Sequence, residues 1–290
     1  MPATATASAT TATTAKQLAD KRSRFRQLHA SGCFVIPNPW DLGSARMLQS
    51  LGFLALASTS AGFAWSKAHA DNRISREMVL AHLAELVAGT ALPVNADFEN
   101  GFGADAAAVA DSVRLAVATG VAGLSIEDST GDAAQPLFSI EAACERLRAA
   151  RSAIDASAGS GKNVMLVGRA ECFLVGRPDI TETVARLQAY AQAGADCLYA
   201  PGIRSPEHVA AVVAAVAPKP VNLLLGSVGS MTVQEAAALG VRRISVGGAM
   251  ARAAWGGFLR AARLLADEGR FDGFEGAASG QELNALFQSK

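Results

Sequence analysis

The chain has 290 residues, half of them apolar and 18% charged, a profile that excludes a disordered polymer and leaves room for one large domain or two small ones. Lys plus Arg number 26, as do Asp plus Glu, which removes the broad electrostatic case for nucleic acid or an anionic membrane as partner. No apolar run reaches the ~18 residues of a spanning helix, so the expectation is a soluble, cytoplasmic protein.

Cys33, Cys144, Cys172 and Cys197 form no C-x-x-C pair, and the four histidines form no H-E-x-x-H. A disulfide framework and a zinc enzyme are both disfavoured. Residues 1–15 are almost entirely Ala, Thr and Ser and read as a disordered tail. Residues 16–290 read as a single domain.

After the tail, eight short apolar runs follow one another: Phe34–Pro37, Phe53–Thr59, Pro93–Phe98, Gly123–Asp128, Asn163–Arg169, Cys197–Pro201, Pro220–Leu225 and Arg242–Gly247. Each is continuous rather than alternating, as expected of parallel strands buried on both faces. Helical spacing separates them. Ser75–Gly89 sets Met78, Val79, His82, Leu83 and Leu86 on one face, and Thr181–Gly194 does so with Val184, Leu187 and Tyr190. Gly52, Gly120, Gly194 and Gly240 precede strands where a left-handed helix cap is expected. Eight strand–helix units in this length predict a (β/α)₈ TIM-type barrel. A doubly wound sheet is the runner-up, but Pro37-Asn38-Pro39-Trp40 is no Gly-rich turn.

In a barrel, chemistry sits at the strand C-termini, and the polar residues gather there. Asp97 and Glu99 stand two residues apart after the third run, where alternation points them the same way. Glu127 closes the next run. Convergent acids call for a cation, and oxygen-only ligands favour Mg²⁺ or Mn²⁺. The competing reading is that these acids cap helices or pair with Lys and Arg. Arg169, behind the apolar Val164–Val167, is suited to a substrate carboxylate or phosphate, or else to an ion pair with Glu127 or Glu171. Ser58-Thr59-Ser60 can bind substrate or cap the helix behind it. Asn222, inside the seventh run, is a further candidate for contact with substrate. His69 and His82 read as surface or packing residues.

These residues also carry a resemblance. Asn38-Pro39-Trp40-Asp41, Ser44-Ala45-Arg46, Gly52-Phe53, Asp97-Phe98-Glu99-Asn100-Gly101-Phe102-Gly103, Ser125-Ile126-Glu127-Asp128 and Gly168-Arg169-Ala170-Glu171 resemble the isocitrate lyase/phosphoenolpyruvate mutase superfamily over about Arg24 to Leu265. The resemblance implies a barrel whose last helix is exchanged between subunits of a dimer or homotetramer. It also implies Mg²⁺-dependent chemistry on small 2-oxo or 2-hydroxy carboxylates or their phospho analogues. By position, Asp97 resembles the direct metal ligand, with Glu99, Glu127 and Asp71 around it. Thr59 and Ser60 fall where the family presents a Ser-Gly pair to the carboxylate. Arg169 resembles the substrate-binding arginine, and Glu127 and Glu171 are its catalytic companions.

The departures narrow the function. The loop Asp128–Phe138 holds no Cys, His or Lys, so the lyase cysteine loop and the mutase loop are both missing. Efficient cleavage of isocitrate or methylisocitrate is therefore not expected. The expectation is a Mg²⁺-dependent lyase that breaks a C–C bond of an oxaloacetate-like acid through a stabilised enolate. A phosphonopyruvate mutase or hydrolase, or a non-catalytic metabolite-binding barrel, are the alternatives. With Gly131 and Pro136, Ser129–Phe138 reads as a mobile lid. Met250–Glu268 reads as an apolar helix that one barrel wall cannot bury, hence the homo-oligomer.

Overall fold

The computed structural model describes residues 13–229 and 231–288. Chain order begins α1 (Ala15–Leu28), β1 (Phe34–Ile36), α2 (Leu42–Ser50), β2 (Leu56–Ala57), α3 (Ser60–Ser66), α4 (Arg76–Gly89), β3 (Val94–Asp97) and α5 (Ala106–Ala118). It continues β4 (Gly123–Glu127), α6 (Ile140–Asp155), β5 (Met165–Arg169), α7 (Ile180–Gln192), β6 (Cys197–Tyr199) and α8 (Pro206–Val216). The last elements are β7 (Val221–Leu224), α9 (Val233–Ala238), β8 (Arg243–Ser245), α10 (Ala249–Glu268) and α11 (Gly280–Gln288). Each of the eight apolar runs contains one strand. Of the expected tail, residues 1–12 lie outside the described residues, and Thr14 already caps α1.

The strands pair in the order β1-β8-β7-β6-β5-β4-β3-β2, all parallel. The seam between β1 and β2 is closed by Ala57 N–H donating to the Pro37 carbonyl at 3.0 Å and by the Asn38 amide donating to the Ser58 carbonyl at 2.9 Å. This is the (β/α)₈ barrel. Gly52, Gly120, Gly194 and Gly240 all have positive φ between +84° and +104°, as the left-handed helix ends require.

Alternation divides each strand between two cores. Val94, Ala96, Leu124, Ile126, Leu166 and Leu198 face outward into the layer shared with the helices. Phe34, Ile36, Ala57, Met165, Val167, Cys197 and Tyr199 fill the lumen. The lumen is not wholly apolar, as the runs had implied. Asn95, Asn222 and Arg243 lie buried within it, with Arg243 donating to the side-chain oxygens Asn222 Oδ1 at 2.8 Å and Asn95 Oδ1 at 3.4 Å. Helix α1 covers the opposite end: Phe25 is fully buried, and Arg22 donates to the carbonyls of Val117 and Val121.

Helix α10 leaves most of its apolar surface open. Ala251 is its buried residue, whereas Phe258 is 61% exposed and Trp255, Leu259 and Leu265 are also exposed.

Candidate active site

Four strand ends supply the site. Asp97 closes β3, and its Oδ2 accepts from both the backbone N–H and the hydroxyl of Ser60, each at 3.0 Å. Ser60 is the first residue of α3, so Asp97 sits at the positive end of that helix. The Asp97 N–H in turn donates to Ser58 Oγ at 2.8 Å. Thr59 spends its hydroxyl capping α3 through Gly62 N–H, which is the capping alternative at that position.

Arg169, at the end of β5, is the hub. Its Nη1 lies 3.2 Å from both Asp97 Oδ1 and Glu127 Oε2, and its Nε donates to Glu171 Oε1. Among the described residues, Nη2 donates none of the cluster's hydrogen bonds. The side chains of Arg169, Glu127 and Glu171 are 14%, 10% and 6% exposed, so little solvent screens the cluster. The Arg169 guanidinium also stands 5.2 Å from the centre of the Tyr199 ring. Burial alone would lower the Arg169 pKa, but Glu127, Glu171 and Asp97 together hold it well above its ordinary value. Burial raises Glu127 and Glu171, with Arg169 opposing both.

Glu99 reaches this group by an unexpected route. The strand ends at Asp97, so alternation no longer sets direction beyond it. Glu99 instead adopts φ +45° in a turn, and its carbonyl accepts from Glu127 N–H at 2.9 Å. Gly103 completes that turn; a Cβ there would lie 2.4 Å from the Val109 backbone nitrogen. Burial, then Asp97 and Asp71, push the Glu99 carboxyl up to about 8. Asp71 is raised as well, by burial first and then by Asp97. Asn222 lies lower, fully buried, its Nδ2 donating to Ser245 Oγ at 2.9 Å while its Oδ1 accepts from Arg243. Its amide is thus committed to the lumen network.

Four acids, Asp97, Glu99, Glu127 and Glu171, thus surround a single guanidinium, with the exposed Asp71 at the rim. Such a gathering of carboxyl groups around one cation fits a hard divalent ion, and the donors are all oxygens. Among the described residues no three acids, histidines or cysteines are grouped closely enough to ligate an ion directly. Mg²⁺ does not require that: it keeps several waters and takes only one or two carboxylates.

Residues outside the sequence-based set complete the site. Asp128 accepts the Tyr190 hydroxyl at 2.6 Å, Arg186 Nη1 at 3.0 Å and the Glu171 N–H at 2.8 Å. Tyr199, beneath Arg169, has its hydroxyl pushed up to about 12 by burial. A polar tip at the end of an apolar strand, in register with Arg169, was the available signal for it. The Ser129–Phe138 segment is a folded hairpin rather than a slack connection. Ser129 bridges Leu137, Thr130 N–H donates to the Pro136 carbonyl, and Phe138 N–H donates to the Asp128 carbonyl. His82 is buried and stacked on Phe63 at 3.9 Å, while His69 is exposed.

Residues 25–266 match the family model of phosphoenolpyruvate phosphomutase. A crystal structure named as a lyase/mutase from Burkholderia cenocepacia J2315 is similar at 48% identity and TM-score 0.90, covering 94% of this chain and 98% of that one. An uncharacterized protein of Mycobacterium tuberculosis is 31% identical over 84% of this chain and 89% of its own. An oxaloacetate decarboxylase of Bradyrhizobium diazoefficiens is 31% identical over 67% of this chain and 68% of its own.

Proposed function

The chain belongs to the phosphoenolpyruvate phosphomutase family, and within its superfamily of mutases and lyases we propose that it is a Mg²⁺-dependent carbon–carbon lyase that decarboxylates an oxaloacetate-like acid. One observation carries the reading: Arg169 is buried among Asp97, Glu127 and Glu171 at the C-terminal mouth of the barrel. The similarity to an oxaloacetate decarboxylase supports the reaction type.

Asp97 would hold the metal, with Glu99, Glu127 and Asp71 gathered around it through water. When bound, Mg²⁺ stabilises negative charge on a substrate oxygen as a Lewis acid. The chain's own groups do the remainder. Arg169 offers Nη2 to the substrate carboxylate, with Thr59 and Ser60 beside it at the start of α3. Glu127 and Glu171 fix the guanidinium and are the acids nearest to move a proton at the enolate carbon. Asn222 supports the mouth from below through Ser245. The hairpin at Ser129–Leu137 follows directly on the β4 end that carries Glu127, and its closure over the mouth would exclude water and strengthen every charge interaction inside.

The exposed apolar face of α10 supports a homo-oligomer, a dimer or tetramer in which this helix packs on a neighbouring copy. The four cysteines are free thiols, as a reducing cytoplasm would keep them. The test is decarboxylation of oxaloacetate with Mg²⁺, corrected for the rate that the ion produces alone. Wild type should release pyruvate, and Asp97→Ala should lose at least about a hundredfold in kcat while staying folded, the scale on which a transition-state charge partner acts. Normal activity and metal affinity in Asp97→Ala would sink the assignment.

A further inference from the structure

The acid cluster and the free space of the barrel mouth do not coincide. A small void touches Glu127 and Arg169. A cleft of about 1090 Å³ instead opens beside them over β6–β8, and it shares Asp71 and Ala61 with the edge of the acid site. Ala61 follows Ser60, the residue that donates to Asp97, so the cleft begins one residue from the acid site. Much of its wall is apolar, Trp65, Leu174, Ile203, Leu225, Met231 and Val246, with the exposed Arg204 among its charged lining. Its charged groups are exposed and in part already used. Arg252 donates to the Gly226 carbonyl, and the Glu235 carboxylate caps its own helix through Thr232.

Oxaloacetate would leave most of such a space to water. Enclosing clefts for far larger ligands span roughly 300–1,000 Å³, and apolar walls gain free energy only when apolar atoms cover them. We propose that the preferred substrate is an oxaloacetate-like acid enlarged at C3 by an apolar substituent of several carbons, which this cleft receives. The inference rests on the decarboxylase reading and names its substrate class. The 2-oxo carboxylate end lies at Arg169, and the substituent runs past Ala61 toward Trp65 and Leu174. The chemistry is unchanged by the substituent. The C3–C4 bond breaks, C4 leaves as carbon dioxide, and the electron pair passes onto the C2 carbonyl as an enolate. C3 then takes one proton, and no oxidant or reductant is consumed.

The experiment compares oxaloacetate with 3-ethyl- and 3-isobutyl-oxaloacetate under saturating Mg²⁺. Each buried methylene should raise kcat/KM by roughly threefold to tenfold, so the isobutyl acid should exceed oxaloacetate by at least tenfold. Leu174, half exposed on the cleft wall and outside the acid cluster, is the control position. Leu174→Trp should fill the cleft, cut kcat/KM for the isobutyl acid at least tenfold and leave oxaloacetate within about twofold. Leu174→Ala, which cannot act by crowding, should lower the isobutyl acid more than oxaloacetate. Oxaloacetate as the best substrate, with no selective effect at Leu174, overturns the cleft proposal and leaves the decarboxylase reading standing. If no acid is decarboxylated, that reading fails, and binding of 3-alkylmalates decides the cleft separately. Affinity that rises with chain length in wild type but not in Leu174→Trp supports it, and flat affinity overturns it.

Discussion

Asp128 shows how a residue outside the acid cluster can determine the cluster's shape. It is 2% exposed, yet its carboxylate meets three donors from two parts of the chain: Tyr190 and Arg186 on α7, and the backbone of Glu171 after β5. Arg186 also donates to the Phe138 carbonyl at 2.9 Å, tying the root of the hairpin to the same point. Burial raises the Asp128 pKa, while Tyr190, the Glu171 N–H and Arg186 oppose that shift. The two α7 partners are not equivalent. Tyr190→Phe removes one neutral donor and leaves Asp128 still paired, which should cost about 1–2 kcal/mol of unfolding free energy. Arg186→Gln strands a buried carboxylate and should cost roughly 3–5 kcal/mol. Urea denaturation at neutral pH measures both, and equal costs would show that Arg186 does not compensate the Asp128 charge.

Helix α10 exposes Trp255, Phe258, Leu259 and Leu265 from one long amphipathic element. Contiguous apolar area of that kind on a monomer marks a surface for association, and the occupant expected from the family resemblance is a second copy of this chain. Light scattering should therefore give a dimer or larger for the wild type, and Phe258→Glu should shift the mass toward the monomer. A monomeric wild type at micromolar concentration would refute the swap. This helix was legible in the sequence because its apolar residues exceed one face, and the eight strands were legible because parallel strands are continuous apolar runs. The site was readable only as far as regular structure extends. Asp97, Glu127 and Arg169 end strands, so alternation aims them. Glu99 lies past the strand in a left-handed turn, and a local rule cannot place it. The lumen network of Asn95, Asn222 and Arg243 escaped for another reason. Its members come from β3, β7 and β8, and only barrel closure brings them together.

The molecule as a whole sets a polar, charge-dense mouth against an apolar body closed at the far end by α1. Two histidines are buried in that body as neutral rings. His29 packs edge-on against Phe25 and Phe34, and burial, then Arg243, lowers it to about 3. His82 stacks on Phe63, and burial, then Lys67, lowers it to about 4. In each ring the Nε2 atom has no hydrogen-bond partner among the described residues, so protonation inside the fold has nothing to receive it. Between its folded pKa and the ~6.5 of the unfolded chain, each histidine binds more protons when unfolded, so stability must fall as pH falls. For His82 the loss begins near pH 6.5 and is complete below about 4, on the order of 3 kcal/mol. His82→Phe keeps a flat ring against Phe63 and removes both the unpaired nitrogen and the titration. Urea denaturation of wild type and variant at pH 7.5 and pH 5 isolates the effect, because the mouth carboxylates are common to both and cancel. The variant should lose less stability than wild type between the two pH values, by about 2 kcal/mol. Equal losses in the two proteins would mean that His82 is protonated in the folded state, and that its burial beside Phe63 and Lys67 does not keep it neutral.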